Sequence, residues 1–335
     1  MPFKYRRRII TFHIAVEDHQ TRRGQRTEVA IPTPPQISVV IPHLNEPEDL
    51  RRCLTALDRQ RRDGVEFEVI VVDNGSREPP ATLCARFDGV RLTGETTPGP
   101  GPARSRGASE AAAPIIAFID ADCLAQPGWI GGIAKYFANH PDVDVLAGAI
   151  GIARADPDHP TAFELYDDLY SYRVRLYVER DHYAATGNMA VRKAAFEKVG
   201  PFGGISTMED RAWGRREHEL GLHLAFVPEV RVLTPSCTSF EELWRRWDRH
   251  IAHDFREIAT SVPGNLKWLA LSLAMAASPG VEAARLVVDG RGHSLGERWR
   301  AFGTLARVRL YRAAKMLALL AHKRSAAMVN SWNRS

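Results

Sequence analysis

Short apolar runs that end abruptly in polar loops punctuate the first half of the chain. Ile37 to Ile41 (ISVVI) reads as a buried strand and gives way to PHLNEPEDL, after which Leu50, Leu54 and Leu57 recur at helical spacing. Asn45 can cap that helix, Pro47 suits its first turn, and Glu46, Glu48 and Asp49 favour its positive end. A second run, Phe67 to Val72, ends in Asp73, Asn74, Gly75 and Ser76, and a third, Ile115 to Ile119, runs straight into Asp120 and Asp122. The segment TPGPGPARSRG (97–107) opens the helix before the third strand and carries Arg104 and Arg106 toward the same edge. Apolar runs alternating with helical patterns predict an α/β sheet with parallel strands, and such sheets bind ligands beyond the carboxyl ends of their strands.

At a strand end, residues two apart point the same way, so Asp120 and Asp122 can converge on one small charged object. Hard cations such as Mg²⁺ and Mn²⁺ prefer carboxylate oxygens and keep positions open for substrate phosphates. A phosphate ester carried by a divalent cation therefore suits this edge.

Six segments then occur in order: VVIPHLNE (39–46), VVDNGS (71–76), ARSRG (103–107), FIDAD (118–122), TGNMAVRKAAFEKVGPF (186–202) and MEDRAWGRR (208–216). Together they resemble the family-two glycosyltransferases of the GT-A fold, over residues 37 to about 259. The resemblance implies an α/β protein: a GT-A type nucleotide-sugar-binding sheet flanked by helices, with a helical C-terminal extension. It implies that Pro42, Asn45 and Glu46 line the nucleoside pocket, and that Asp73 contacts the base, commonly uracil. Arg104 would approach the nucleoside and diphosphate. Asp120 and Asp122 would bind a divalent metal, Mg²⁺ or Mn²⁺, with Asp120 also on the nucleotide side. Gly187 and Asn188 would shape the sugar and acceptor side, and Asp210 would be the catalytic base. The implied reaction moves one sugar from a nucleoside-diphosphate sugar, UDP-sugar favoured, to a hydroxyl of a saccharide or lipid-linked acceptor, with inversion.

Elementary chemistry fits this assignment. A nucleoside diphosphate leaves readily only when its developing charge is neutralised, and an acceptor hydroxyl must lose its proton as it attacks. Glu209 and Asp210, at the start of an amphipathic helix, offer two carboxylates for that proton. Two positions depart from the family pattern: Ser105 stands where an Asn is frequent, and Thr234 where a histidine often completes the metal site. Arg245 and Trp247 belong to a basic, aromatic segment on the acceptor side. No glutamine precedes them in the manner of processive synthases, which favours single-sugar transfer. His250 and His253 share one helix face as polar or acceptor-side residues, and one of Arg215 and Arg216 can help position phosphate.

Composition adds location and partners. With 335 residues and 44% hydrophobic content, the chain can bury one substantial core plus an appendage. Cys53, Cys84, Cys123 and Cys237 lack CxxC spacing, which points to reduced thiols in the cytoplasm rather than a disulfide framework or structural zinc. MPFKYRRRIITFH has no secretory core, and 1–36 reads as a basic extension ahead of a catalytic domain at 37–259. In the helical region 260–335, the charge-free run from Trp268 to Val281 is 14 residues, short of the roughly 20 that span a bilayer. From Arg291 to Arg324 nine cations accompany Leu295, Trp299, Phe302, Ala306, Leu310, Ala313, Leu317 and Leu320 at helical spacing. Two placements fit: peripheral attachment to an anionic membrane on the inner face, or packing on the domain with the basic face in water. Without a nucleic-acid reading module, the charge does not indicate DNA or RNA. Two rivals stay open, a nucleotidyltransferase and a catalytically silent sugar-nucleotide-binding partner of a membrane complex.

Overall fold

The computed structural model describes residues 34–205, 207–286 and 294–322. The basic extension expected over 1–36 lies outside them apart from its last three residues, as do Arg291, Lys323 and Arg324 of the basic tail.

Along the chain run β1 (Ile37–His43), α1 (Pro47–Asp58), β2 (Phe67–Asp73), the one-turn α2 (Ala81–Cys84), β3 (Val90–Gly94), α3 (Pro100–Glu110) and β4 (Ile115–Ile119). There follow β5 (Leu124–Ala125), α4 (Trp129–Asn139), β6 (Val145–Ala153), α5 (Ala162–Tyr170), α6 (Val174–Glu179) and β7 (Asn188–Arg192). Next come α7 (Lys193–Val199), α8 (Glu209–Glu219), β8 (Leu224–Pro235), α9 (Phe240–Ile258), α10 (Val262–Leu286) and α11 (Leu295–His322). The strands form one sheet in the order β3-β2-β1-β4-β7-β6-β8-β5. The β3-β2-β1-β4 half is parallel, and β7 is antiparallel to both its neighbours.

The parallel strands are apolar on both faces because helices cover both. Val39, Ile41, Val69 and Val71 pack with Leu50, Leu54 and Leu57 of α1 and Ile130 of α4. The alternate residues Val40, Ile70 and Val72 meet Ala103 of α3, with Phe196, Phe202 and Trp213 completing that core. Register then places chemistry: His43 is paired with Asp73, and Ile119 with Asn188, so β1, β2 and β4 deliver their polar ends to one edge.

The head of α1 differs from expectation. Asn45 does not cap the helix; Glu46 holds that position, without a side-chain cap. Asn45 instead adopts a left-handed φ of 56° and accepts a hydrogen bond from Arg77 N at 2.9 Å, tying the β1–α1 loop to the loop after β2.

The C-terminal helices also revise the sequence reading. α10 continues through Pro279, and among the described residues no helix is long and apolar enough to cross a membrane. α11 packs on the domain, burying Ala301, Leu305, Val308, Ala313, Met316 and Leu319; of the stripe read in sequence, Ala313 is buried and Phe302, Ala306 and Leu320 are partly buried. Tyr166, Leu243 and Trp268 claim that buried face. Leu295, Trp299, Leu310 and Leu317 consequently point outward. The cations of α11 do not form a free basic face. Arg300 donates to Pro160 O, Arg307 lies over Phe240, Arg309 pairs with Glu282, Arg312 lies over Trp247, and Lys315 pairs with Asp248.

Candidate active site

A cleft of about 410 Å³ opens beyond the carboxyl ends of β1 and β4, and Asp120, Asp122, Arg104, Glu209 and Asp210 all line it. The β4 strand ends with Phe118 and Ile119 buried in the core, so the chain must emerge there, and the two carboxylates follow at once. Oxygens of Asp120 and Asp122 and the Cys123 sulfur lie within 4.8 Å of one another. Burial, followed by the charge of Asp120, pushes the Asp122 carboxyl up to about 7. Two carboxylates this close, one of them strongly disfavoured as an anion, suit a bound cation, since a divalent ion reverses both penalties. A Cβ on Gly187 would come within 2.9 Å of Asp120 Oδ2, so glycine is needed there to leave the carboxylate its place. Thr234, at the end of β8, lines the cleft at the position where the resemblance implies a histidine.

Arg104 organises the other side. It is 4% exposed, carried on the buried face of α3, and its guanidinium donates to Asp120 and, at 3.1 Å, to Glu209 Oε1. Burial works against its charge, yet Asp120 and Glu209 together hold its pKa above the ordinary value. Glu209 is thereby committed to an ion pair. Asp210 is not: its carboxylate accepts only from the Arg211 backbone N–H among the described residues, and burial, then the charge of Glu209, pushes it up to about 6. A carboxylate poised so near neutrality, open to the cleft, is suited to accept a proton.

On the nucleoside side, Pro42 and Glu46 line the cleft, whereas Asn45 serves the loop contact described above. Asp73 is 8% exposed and its oxygens are already engaged, by His43 Nδ1 at 3.1 Å and by the Gly75 and Ser76 backbone N–H groups. His43 Nε2 accepts from Glu46 N, which places the ring proton on Nδ1, facing Asp73. Asp73 therefore orients His43, and His43 and Asn74 are the side chains of this pair of strand ends that reach the cleft wall.

Other expected residues fall elsewhere. Asn188 is buried away from the cleft, accepting from Trp129 Nε1 at 2.8 Å and donating to Ala149 O and Val230 O. It clamps β7 to α4, β6 and β8; Gly187, one residue earlier, is the one that lines the site. Arg106 pairs with Glu110 on the exposed side of α3. Arg216 donates to the backbone of Val199 and Pro201, and Arg215 lies 4.0 Å from Glu257, so neither reaches the carboxylate cluster. Arg245 is exposed and lines no described cavity, because α9 faces the site with Arg246, Arg249, His250 and His253 at spacings of three and four. Trp247 donates to Tyr166 OH at 3.2 Å and edges a second cavity. The sequence does not single out His43, Tyr172 or Arg249; His250, expected as a polar or acceptor-side residue, lines the cleft and the cavity beside it. Tyr172 has a left-handed φ of 45° in the loop between α5 and α6, with no glycine to announce it.

The glycosyl transferase family 2 profile matches residues 38–200. These residues are a family 2 glycosyltransferase domain. A glycosyltransferase of Haloferax volcanii, AglE, is 30% identical over 205 residues, 59% of this chain and 66% of that protein. The pre-mycofactocin glycosyltransferase of Mycobacterium tuberculosis is 32% identical over 152 residues, 43% of this chain and 30% of its own length. The matches thus span about two thirds of one relative and under one third of the other. In structure, the chain resembles a mannosyltransferase from Pyrobaculum calidifontis solved with GDP-mannose and Mn²⁺, with a TM-score of 0.57 at 18% identity, covering 87% of this chain and 88% of that one. The fold is the GT-A fold.

Proposed function

We propose that the protein transfers a single sugar from a nucleoside-diphosphate sugar to an acceptor hydroxyl, with inversion, and that Asp210 is the base. The observation that carries the reading is the division of labour at the cleft: Glu209 is held by Arg104, while the half-buried Asp210 beside it is uncommitted and poised at about 6. A catalytically silent binder would have no use for such a group.

Asp120 and Asp122 would hold a divalent cation, which when bound would supply Lewis-acid stabilisation of the leaving diphosphate. The chain's own residues do the rest. Arg104 fixes Asp120 and keeps a positive charge beside the diphosphate position. Gly187 clears space for Asp120, and Asp210 takes the acceptor proton. His43, oriented by Asp73, and Pro42 bound the nucleoside end. The relative solved with GDP-mannose and the resemblance-based preference for uridine make both nucleosides worth testing. A membrane-surface location is part of this proposal, with a changed basis: α10 turns Leu266, Leu271, Leu273 and Val281 outward in a segment with no charge between Trp268 and Val281. Those exposed apolar side chains, rather than the α11 cations, would enter the headgroup region.

A thermal-shift screen of UDP- and GDP-sugars with and without Mn²⁺ or Mg²⁺ tests the core of the reading, because a ligand of the folded state raises its apparent stability. Failure of every nucleoside diphosphate to shift the transition in either metal would sink it.

A further inference from the structure

A second cavity of about 810 Å³ adjoins the cleft and shares Tyr172, Ala185, Asp210, Arg249 and His250 with it. Asp210 sits at the seam, so on the glycosyltransferase reading an acceptor hydroxyl reaches its base from this side. The walls combine aromatic faces with arginines. Tyr177 and Tyr183 stack at 5.1 Å, and Trp247 lies opposite on α9.

The arginines differ in how they are neutralised. Arg180 pairs with Asp181, Arg211 with Asp254 at 3.0 Å, and Arg246 with Asp167 at 2.8 Å, while Arg215 lies 4.0 Å from Glu257. Arg249 has no hydrogen-bond or ion-pair partner among the described residues, although it borders both cavities. Burial and the neighbouring Arg246 hold its pKa below the ordinary value. Burial and the charges of Arg249, Arg312, Arg246 and Arg211 push His250, its sequence neighbour, down to about 3, so the imidazole is neutral and cannot repel cations further. Asp210 shares the seam and Glu209 acts on Arg249 through space, but neither carboxylate makes a hydrogen bond or ion pair with it, and a guanidinium in that state gains most from an anionic oxygen in contact.

We infer that the acceptor bears an anionic group, phosphate or carboxylate, seated in this second cavity with Arg249 as its main contact. The aromatic walls take the sugar ring or apolar body attached to it. The inference rests on the proposed activity, and it deepens that activity by naming the acceptor's charge.

Calorimetry on the full chain with Mn²⁺ and saturating nucleoside diphosphate tests it, using octyl phosphate, octyl glucuronide and the uncharged octyl glucoside as probes. Both anionic probes, or one of them, should bind at least about tenfold more tightly than the glucoside. The order of phosphate and glucuronide distinguishes a phosphorylated acceptor from an acidic sugar. Arg249→Gln should erase the anionic preference and Arg249→Lys should retain most of it. Equal affinity for all three probes, no binding of any, or an unchanged preference in Arg249→Gln overturns the inference. So does weakened nucleoside-diphosphate binding in Arg249→Gln with probe affinities unaltered, which assigns Arg249 to the donor. Absence of nucleoside-diphosphate binding in the unsubstituted protein would instead remove the glycosyltransferase reading itself.

Discussion

Arg104 Nη1 lies 3.1 Å from Glu209 Oε1, and this contact separates the roles of two carboxylates that are adjacent in sequence. The first residue of α8 is drawn to α3, and the second is left facing the cleft. Adjacent acids at a helix head look equivalent in a sequence. A buried arginine on another helix makes them unequal.

Asp210→Asn should therefore bind donor nearly normally yet slow transfer by roughly a hundredfold to ten-thousandfold, the range for losing a general base. Glu209→Gln should be milder in kcat and act through donor affinity, since it releases Arg104. Pre-steady-state transfer rates and donor Kd for both variants decide it. An inactive Glu209→Gln beside a normal Asp210→Asn would move the base to Glu209.

Asp122→Ala should abolish metal-dependent nucleotide binding while the protein stays folded, because among the described residues the side chain makes no hydrogen bond beyond that from the Cys123 thiol. Calorimetry with and without Mn²⁺ reads this directly. Metal dependence equal to that of the parent would remove Asp122 from the site.

Asn188→Ala should behave oppositely, damaging stability before chemistry. The substitution strands Trp129 Nε1 and two backbone carbonyls in the core, each costing about 1–3 kcal/mol. Denaturant melts should show a loss of that order. Undiminished stability with lost transfer would return Asn188 to the active site.

The strand ends and the aspartates of the cleft were legible because continuous apolar runs and terminal carboxylates are local signals. Asn45 and Asn188 misled for one reason: an amide looks the same whether it faces ligand or clamps backbone, and only the partners, Arg77 N for one and Trp129 for the other, decide. The buried face of α11 overlaps the expected one only at Ala313 and, in part, Phe302, Ala306 and Leu320, since a helix with apolar residues around much of its girth carries no single phase, and Tyr166 and Trp268 select it. His43 was invisible because its value comes from register with Asp73, thirty residues away. The segment around Arg249 was noticed as basic, but which of its cations are answered by carboxylates is a tertiary fact.

Membrane attachment can now be tested without removing α11. Leu305→Ala should cost about 2–5 kcal/mol, the usual loss for a buried leucine, so deleting the helix would unfold its surroundings and report nothing about lipid. Leu271→Asp with Leu273→Asp alters exposed positions only and should release the protein from vesicles while leaving nucleotide binding in place. Retained vesicle binding would remove the α10 face from the interface.

The pH profile gives Asp210 a signature that no structural residue shares. Its carboxyl is raised from 3.8 to about 6, so below that pH the base is protonated and cannot take the acceptor proton. At saturating metal, which keeps Asp122 ionised, kcat should fall about tenfold per pH unit on the acid side of pH 6. Linkage runs the other way. Because the folded state holds this proton more tightly than the unfolded chain, the contribution of Asp210 to stability is complete below pH 3.8 and is lost as pH rises toward 6. Activity thus rises through a window in which the contribution of Asp210 itself to stability falls, and a stability curve recorded over the same pH range separates the acid limb from unfolding. The residual transfer of Asp210→Asn should lack that limb altogether. An acid limb that survives in the variant, at the same pH, would assign the titration to another group and take Asp210 out of the proton-transfer step.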